Sequence, residues 1–191
     1  MIKFKSYYLF LLVLLFSCQK EEEDFLPKGA QLMLNPNLSQ FPDSVNPWKP
    51  SNPDGIQLGV SREVFISGNR SLFVENKTRE MASASSWSQT YTGPMPKPGS
   101  TLELVAFVKG EKVQDLTAGG RVYIMVRTFP QTNQISGAST SLDLQGDFNW
   151  VLVQATLENF PKDAERIEVS LHVPTLTLGK VYFDEINLTV K

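Results

Sequence analysis

The chain has 191 residues, room for one domain with its own core, and its 41% hydrophobic and 20% charged composition describes neither a disordered nor a strongly charged polymer. From Cys18 onward it carries 16 basic against 20 acidic residues, net −4, which argues against nucleic acid as a partner because such binders need a basic footprint. A single cysteine, Cys18, excludes an internal disulfide, and a single histidine, His172, leaves no second imidazole for a zinc site.

Residues 1–17 read as a secretory signal, with Lys3 and Lys5 followed by an apolar run from Tyr7 to Phe16 that is short for a bilayer span. The run ends in Leu15-Phe16-Ser17-Cys18, which resembles the lipobox of bacterial lipoproteins and implies a lipidated Cys18. Behind it, Gln19-Lys20-Glu21-Glu22-Glu23-Asp24 resembles the export signal of Bacteroidota-type surface lipoproteins. That resemblance implies anchoring at the outer membrane, facing the cell exterior; the plainer alternative is a solvated charged linker. Residues 18–29 are therefore expected to be the lipidated cysteine and a flexible acidic tether, and residues 30–191 one β domain.

From Ala30 the chain turns to short extended runs punctuated by Pro, Gly and Asn. The predicted strands are Gln31 to Leu34, Ile56 to Val60, Val64 to Ile66, Ser71 to Val74, Ser83 to Tyr91, Thr101 to Lys109, Arg121 to Thr128, Trp150 to Leu157, Arg166 to Val173 and a closing strand over Gly179 to Leu188. A long proline-bearing loop through Trp48, Pro50 and Pro53 follows the first of them, and loops of this length are usually functional or pinned. Arg166 to Val173 alternates strictly, apolar at odd numbers, the mark of a strand with one buried face. Thr101 to Lys109 is apolar on both faces at its centre and belongs mid-sheet. In the closing strand Val181 and Phe183 share one phase, Ile186 and Leu188 the other, and Asp184-Glu185 sits at the change, which predicts a β-bulge. Many short strands without helical periodicity predict two antiparallel sheets packed face to face.

Four stretches occur in an order that resembles galactose-binding-like jelly-roll carbohydrate-binding modules. They are Ser67 to Val74, Pro98 to Leu104 leading to Val108-Lys109-Gly110-Glu111, Phe148-Asn149-Trp150 with Pro161, and Val181 to Ile186. The resemblance implies a jelly roll, a frequent structural calcium, and sugar binding on a concave sheet or at loop tips. It maps the calcium to Asn35, Asn37, the carbonyls around Gly68 and Asn69, and Asp184. The segment Asn35 to Ser39 lacks the acidic residue often found there, so Asp184 is left as the one carboxylate. The competing reading has Asp184 accepting backbone amides at the bulge.

Sugar recognition stacks aromatic rings on pyranose faces and reads hydroxyls with amide, carboxylate and guanidinium groups. Trp87, Gln89 and Tyr91 share one strand face, Tyr123 and Arg127 another, and Glu168 and His172 a third, with Trp48 as the loop-tip aromatic. Against this, Trp87 and Tyr91 also suit a core, Arg127 and Glu168 also suit a surface pair, and Trp48 also suits a plug at the end of the sandwich. No nucleophile elbow, metal triad or phosphate loop is present, so catalysis is not expected. The expected protein is a non-catalytic, lipid-anchored surface protein whose partner is carbohydrate. The alternative is a structural or adhesion module that binds an outer-membrane protein instead.

Overall fold

A computed structural model of the chain describes residues 25–51, 54–78, 84–116, 121–131 and 136–191. The expected lipidation site, Cys18, and most of the expected acidic tether lie outside the described residues. Among the described residues every element is a strand: β1 Lys49–Pro50, β2 Gln57–Ser61, β3 Ser71–Asn76, β4 Ser85–Tyr91, β5 Leu102–Asp115, β6 Tyr123–Phe129, β7 Gly137–Ser141, β8 Gly146–Leu157, β9 Arg166–Val173 and β10 Thr177–Val190. They form two five-stranded antiparallel sheets, ordered β1-β4-β9-β6-β7 and β2-β3-β10-β5-β8. The predicted two-sheet sandwich is the observed one, and β5 runs mid-sheet between β10 and β8.

The core lies between the sheets. Leu104, Ala106 and Val108 of β5 and Val181 and Phe183 of β10 supply one layer; Ile124 and Val126 of β6 and Ile167, Val169 and Leu171 of β9 supply the other. Fully burying each of the larger side chains contributes about 1.5–3 kcal/mol, so the paired layers hold the sheets together without a disulfide.

Strand β10 explains its own broken phase. Asp184 pairs with Phe107 and Asn187 with Val105, so three steps along β10 match two along β5. One residue is extra, and Glu185 takes it up in the left-handed region at φ 51. The bulge resets the alternation, which is why Val181, Phe183, Ile186 and Leu188 all reach the core despite their opposite phases in the sequence.

Two predicted strands are not strands. Residues 29–32 follow β10 through Gly29 N–H to the Val190 carbonyl and Leu32 N–H to the Leu188 carbonyl, with one isolated bridge from Gln31 to Thr189. Val64 to Ile66 is turn, because its amides are drawn to side chains: Val64 N–H to Ser61 Oγ and Ile66 N–H to Asp184. The end of the expected flexible tether is also bonded to the sandwich, since Leu26 N–H donates to the Met95 carbonyl.

Candidate carbohydrate-binding face and loop clip

The pairing register decides which side chains leave the sandwich on the β1-β4-β9-β6-β7 sheet. Tyr123 lies opposite His172, Met125 opposite Ser170, and Arg127 opposite Glu168. On the next strand His172 faces Ser86, Ser170 faces Ser88, and Glu168 faces Thr90. On the far side Tyr123 and Met125 face Ser141 and Ser139 of β7. The even residues of β9 and the odd residues of β6 thus share one outward surface, bordered on both sides by hydroxyl side chains.

Within that surface the Tyr123 and His172 rings stack at 4.7 Å between centroids and 8° between planes. Four residues along β9, roughly 13 Å at the rise of an extended strand, Arg127 Nη2 meets Glu168 Oε1 at 2.6 Å. Ser170 Oγ donates to the same Glu168 oxygen at 3.2 Å. The surface ends at Phe129, whose ring lies 4.2 Å from the Arg166 guanidinium and 5.6 Å from that of Arg127. Arg166 and Phe129 line an open recess with Thr92, Pro130 and Glu165. Two polar atoms of the surface, Arg127 Nε and His172 Nε2, are buried without a hydrogen-bond partner among the described residues. Such atoms are costly to leave unpaired.

Burial, and next the Arg127 charge, push the His172 imidazole below its ordinary 6.5, while Glu168 pulls it partly back. With the folded-state value depressed, the unfolded chain binds more protons in the window below 6.5, so this group's stabilisation is complete above 6.5 and is lost as the pH falls through the folded value. The urea midpoint is therefore expected to fall on acidification from pH ~7.5 to ~5, and to fall less in His172→Gln. Equal slopes in the two proteins would remove His172 as the source.

The face nominated on β4, that of Trp87, Gln89 and Tyr91, points inward. Trp87 pairs with Leu171 and Gln89 with Val169, both core residues, so the odd residues of β4 enter the sandwich and Ser86, Ser88 and Thr90 take the surface. Trp87 is 3% exposed and donates Nε1–H to the Phe73 carbonyl at 3.0 Å. Gln89 is 3% exposed and uses both ends of its amide on Leu34, accepting from the N–H at 2.8 Å and donating to the carbonyl at 3.0 Å. Tyr91 packs on the core and donates its hydroxyl to the Pro94 carbonyl. Trp48 is 2% exposed and plugs the sandwich end, its Nε1–H on the Asn35 carbonyl at 3.3 Å. Trp87, Gln89 and Trp48 are therefore enclosed by the sandwich, and Tyr91 is half-buried against it. Amphipathic aromatics fit either face of a strand, and only pairing assigns the side. The residues the sequence reading missed, Ser86, Ser88, Thr90, Met125, Phe129, Ser170 and Arg166, carry one usable signal, the Ser-x-Ser-x-Thr alternation of β4.

On the outward face of the other sheet, Phe73 and Tyr182 are 7% and 3% exposed although they lie outside the inter-sheet core, and the Lys180 ammonium sits 4.1 Å over one ring and 5.1 Å over the other, while Leu152 on the same face is 56% exposed. Trp150 packs edge-on to Tyr182 at 6.5 Å.

Of the residues nominated for calcium, Asn37 and Gly68 meet. Asn37 O lies 2.7 Å from where a Cβ on Gly68 would sit, at φ +63, so this turn admits no side chain without a shift. Asp184 is fully buried; Oδ2 accepts from Ile66 N–H at 2.8 Å and Ser67 N–H at 3.2 Å, and Oδ1 from Glu185 N–H at 2.8 Å. Burial raises its pKa above the ordinary carboxylate value and these three amides partly offset the rise. Asn35 Oδ1 accepts from Gln40 N–H, Asn37 Oδ1 from Ser39, and Asn69 Oδ1 from Arg70. Asp184→Asn, which must turn an NH₂ toward amide donors, is expected to cost about 1–2 kcal/mol, seen as a lower urea midpoint; an unchanged midpoint would contradict this bonding.

No protein-family model matches the chain. No curated protein matches it either. Solved structures do. The domain TmCBM61, solved with β-1,4-galactotriose, superposes with a TM-score of 0.55 at 15% identity, covering 85% of this chain and 99% of that one. The CBM22-1 xylan-binding domain of Paenibacillus barcinonensis Xyn10C gives 0.56 at 14%, covering 86% and 97%. The fold is the two-sheet jelly roll that these two domains share. It is not confined to such modules: a cyclase from Fischerella sp. TAU gives 0.60 at 13% identity, covering 85% of this chain and 98% of the cyclase. The enzymatically active domain of bacteriophage CBA120 tailspike protein 4 gives 0.60 at 14%; the chain covers about a fifth of it, 21%.

Proposed function

We propose that the domain is a non-catalytic carbohydrate-binding module whose ligand lies on the outer face of the β1-β4-β9-β6-β7 sheet, carried at the outer membrane, facing outward, by a lipid on Cys18. The observation that carries this reading is the shared surface of Tyr123, His172, Arg127 and Glu168, bordered by the hydroxyls of Ser86, Ser88 and Thr90. A stacked aromatic pair at one end and a guanidinium-carboxylate pair at the other supply the apolar contact and bidentate groups that sugar hydroxyls require. Their separation suits a short stretch of polysaccharide. The structurally similar domains, one solved with β-1,4-galactotriose and one a xylan-binding domain, support the same ligand class. The Glu168 carboxylate of this surface is already engaged by Arg127 and Ser170.

Affinity electrophoresis of the soluble chain in gels containing galactan, xylan and a broad glycan panel tests this. Retardation by at least one polysaccharide, lost in Arg127→Ala, is the expected result; free migration in every gel would overturn the reading. A protein-binding role has one observation in its favour, the apolar Met125 at the centre of the surface. Recovery of a stoichiometric outer-membrane protein, unaffected by free sugars, would select it.

A further inference from the structure

We propose that the guanidinium of Arg70, together with the Asp184 carboxylate, does in this protein the tethering that a calcium ion would do, so that the loop after the first segment is clipped without metal. The Arg70 side chain is 2% exposed, one of the largest fully enclosed groups of the domain. A buried guanidinium must satisfy its fixed fork of N–H donors, and here every partner is an oxygen of the loop or turn that an ion would bridge. Nε donates to Asn69 Oδ1 at 3.1 Å, Nη1 to the Ser44 carbonyl at 3.3 Å, and Nη2 to the Phe41 carbonyl. It therefore joins the start of β3 to the loop between Asn35 and Trp48, and that loop is in turn seated by Trp48 and by Ile186 N–H on the Pro36 carbonyl.

The Asp184 side completes the argument. A calcium site needs several oxygens converging on one point, most of them carbonyls. Around Asp184 the turn presents Ile66 and Ser67 by their N–H groups, and these donors occupy the carboxylate oxygen that would face a cation. Ser67 Oγ donates to Glu185, so the second carboxylate of the bulge is also engaged. The segments that a shared ion would collect are held by the Arg70 guanidinium, on two backbone carbonyls and the Asn69 amide oxygen, and by the Asp184 carboxyl, on three backbone amides.

Thermal melts of the soluble chain decide the matter, with and without excess EDTA and with added calcium chloride, on the wild type and on Arg70→Lys and Arg70→Gln. The expected result is a wild-type melting temperature unmoved by either addition, because an ion that does not bind the folded state adds no stability by mass action. Arg70→Lys, which keeps the charge but loses the fork, is expected to melt about 5 °C lower, and Arg70→Gln about 10 °C lower. Stabilisation of the wild type by calcium, or its loss with EDTA, would overturn the proposal. So would Arg70 variants that melt with the wild type. Should Arg70→Gln fail to fold, Arg70→Lys and the wild-type titration still give the answer, and neither readout depends on whether the domain binds sugar.

Discussion

Tyr123→Ala is expected to weaken polysaccharide binding by about tenfold or more, ~1.4 kcal/mol, while leaving the domain folded. The Tyr123 ring contacts His172 face to face on the solvent side of β6, so its removal exposes one neighbour and opens no cavity between the sheets. The lost ring pair is worth about 0.5–1.5 kcal/mol of stability, a drop of a few degrees in Tm. Arg127→Ala belongs to the same class, since a partly exposed ion pair contributes about 0–1 kcal/mol to folding. Calorimetric titration with the retarding polysaccharide, run beside thermal melts, separates the two effects. Full affinity in both variants would move the ligand off this face.

Trp87→Ala should show the opposite pattern. The indole is 3% exposed, lies within the inter-sheet core and donates to the Phe73 carbonyl. Truncating a large buried aromatic costs about 3–5 kcal/mol through lost transfer energy and the cavity left behind, or roughly 10 °C in Tm for a domain of this size. Trp87→Phe keeps most of the packing and loses the hydrogen bond, so it should fall between. Below their melting temperatures both variants should bind polysaccharide within about threefold of wild type, ~0.7 kcal/mol. A Trp87→Ala protein that melts like the wild type but has lost its ligand would place the indole at the sugar instead.

The contrast between Tyr123 and Trp87 shows how far the site could be read in advance. Glu168 and His172 were assignable to an outward face because Ile167, Val169, Leu171 and Val173 are unambiguously apolar and leave the even positions no other place. Tyr123 and Arg127 follow from Val122, Ile124 and Val126 in the same way. Strand β4 offered no such contrast. Its odd positions are a serine, a tryptophan, a glutamine and a tyrosine and its even positions serine and threonine, so periodicity found two faces without saying which was wet. Trp48 illustrates the same limit in a loop, where no period exists at all.

The closing strand marks the boundary between what the chain states locally and what the assembled sheets decide. Period-two alternation specifies the sandwich, and the phase change at Asp184-Glu185 specifies the bulge, because both are properties of consecutive residues on one strand. What the bulge is for emerges from contacts distant in the chain. Asp184 meets Ile66 and Ser67, 118 and 117 residues away, by their amides, and Arg70 reaches the carbonyls of Phe41 and Ser44 across a loop. A side chain's charge is written in the sequence; whether a donor or an acceptor is turned toward it depends on backbone orientation, which strand pairing sets. The same holds for the proposed sugar face, assembled from β4, β9 and β6, whose residues come side by side only when the sheet forms.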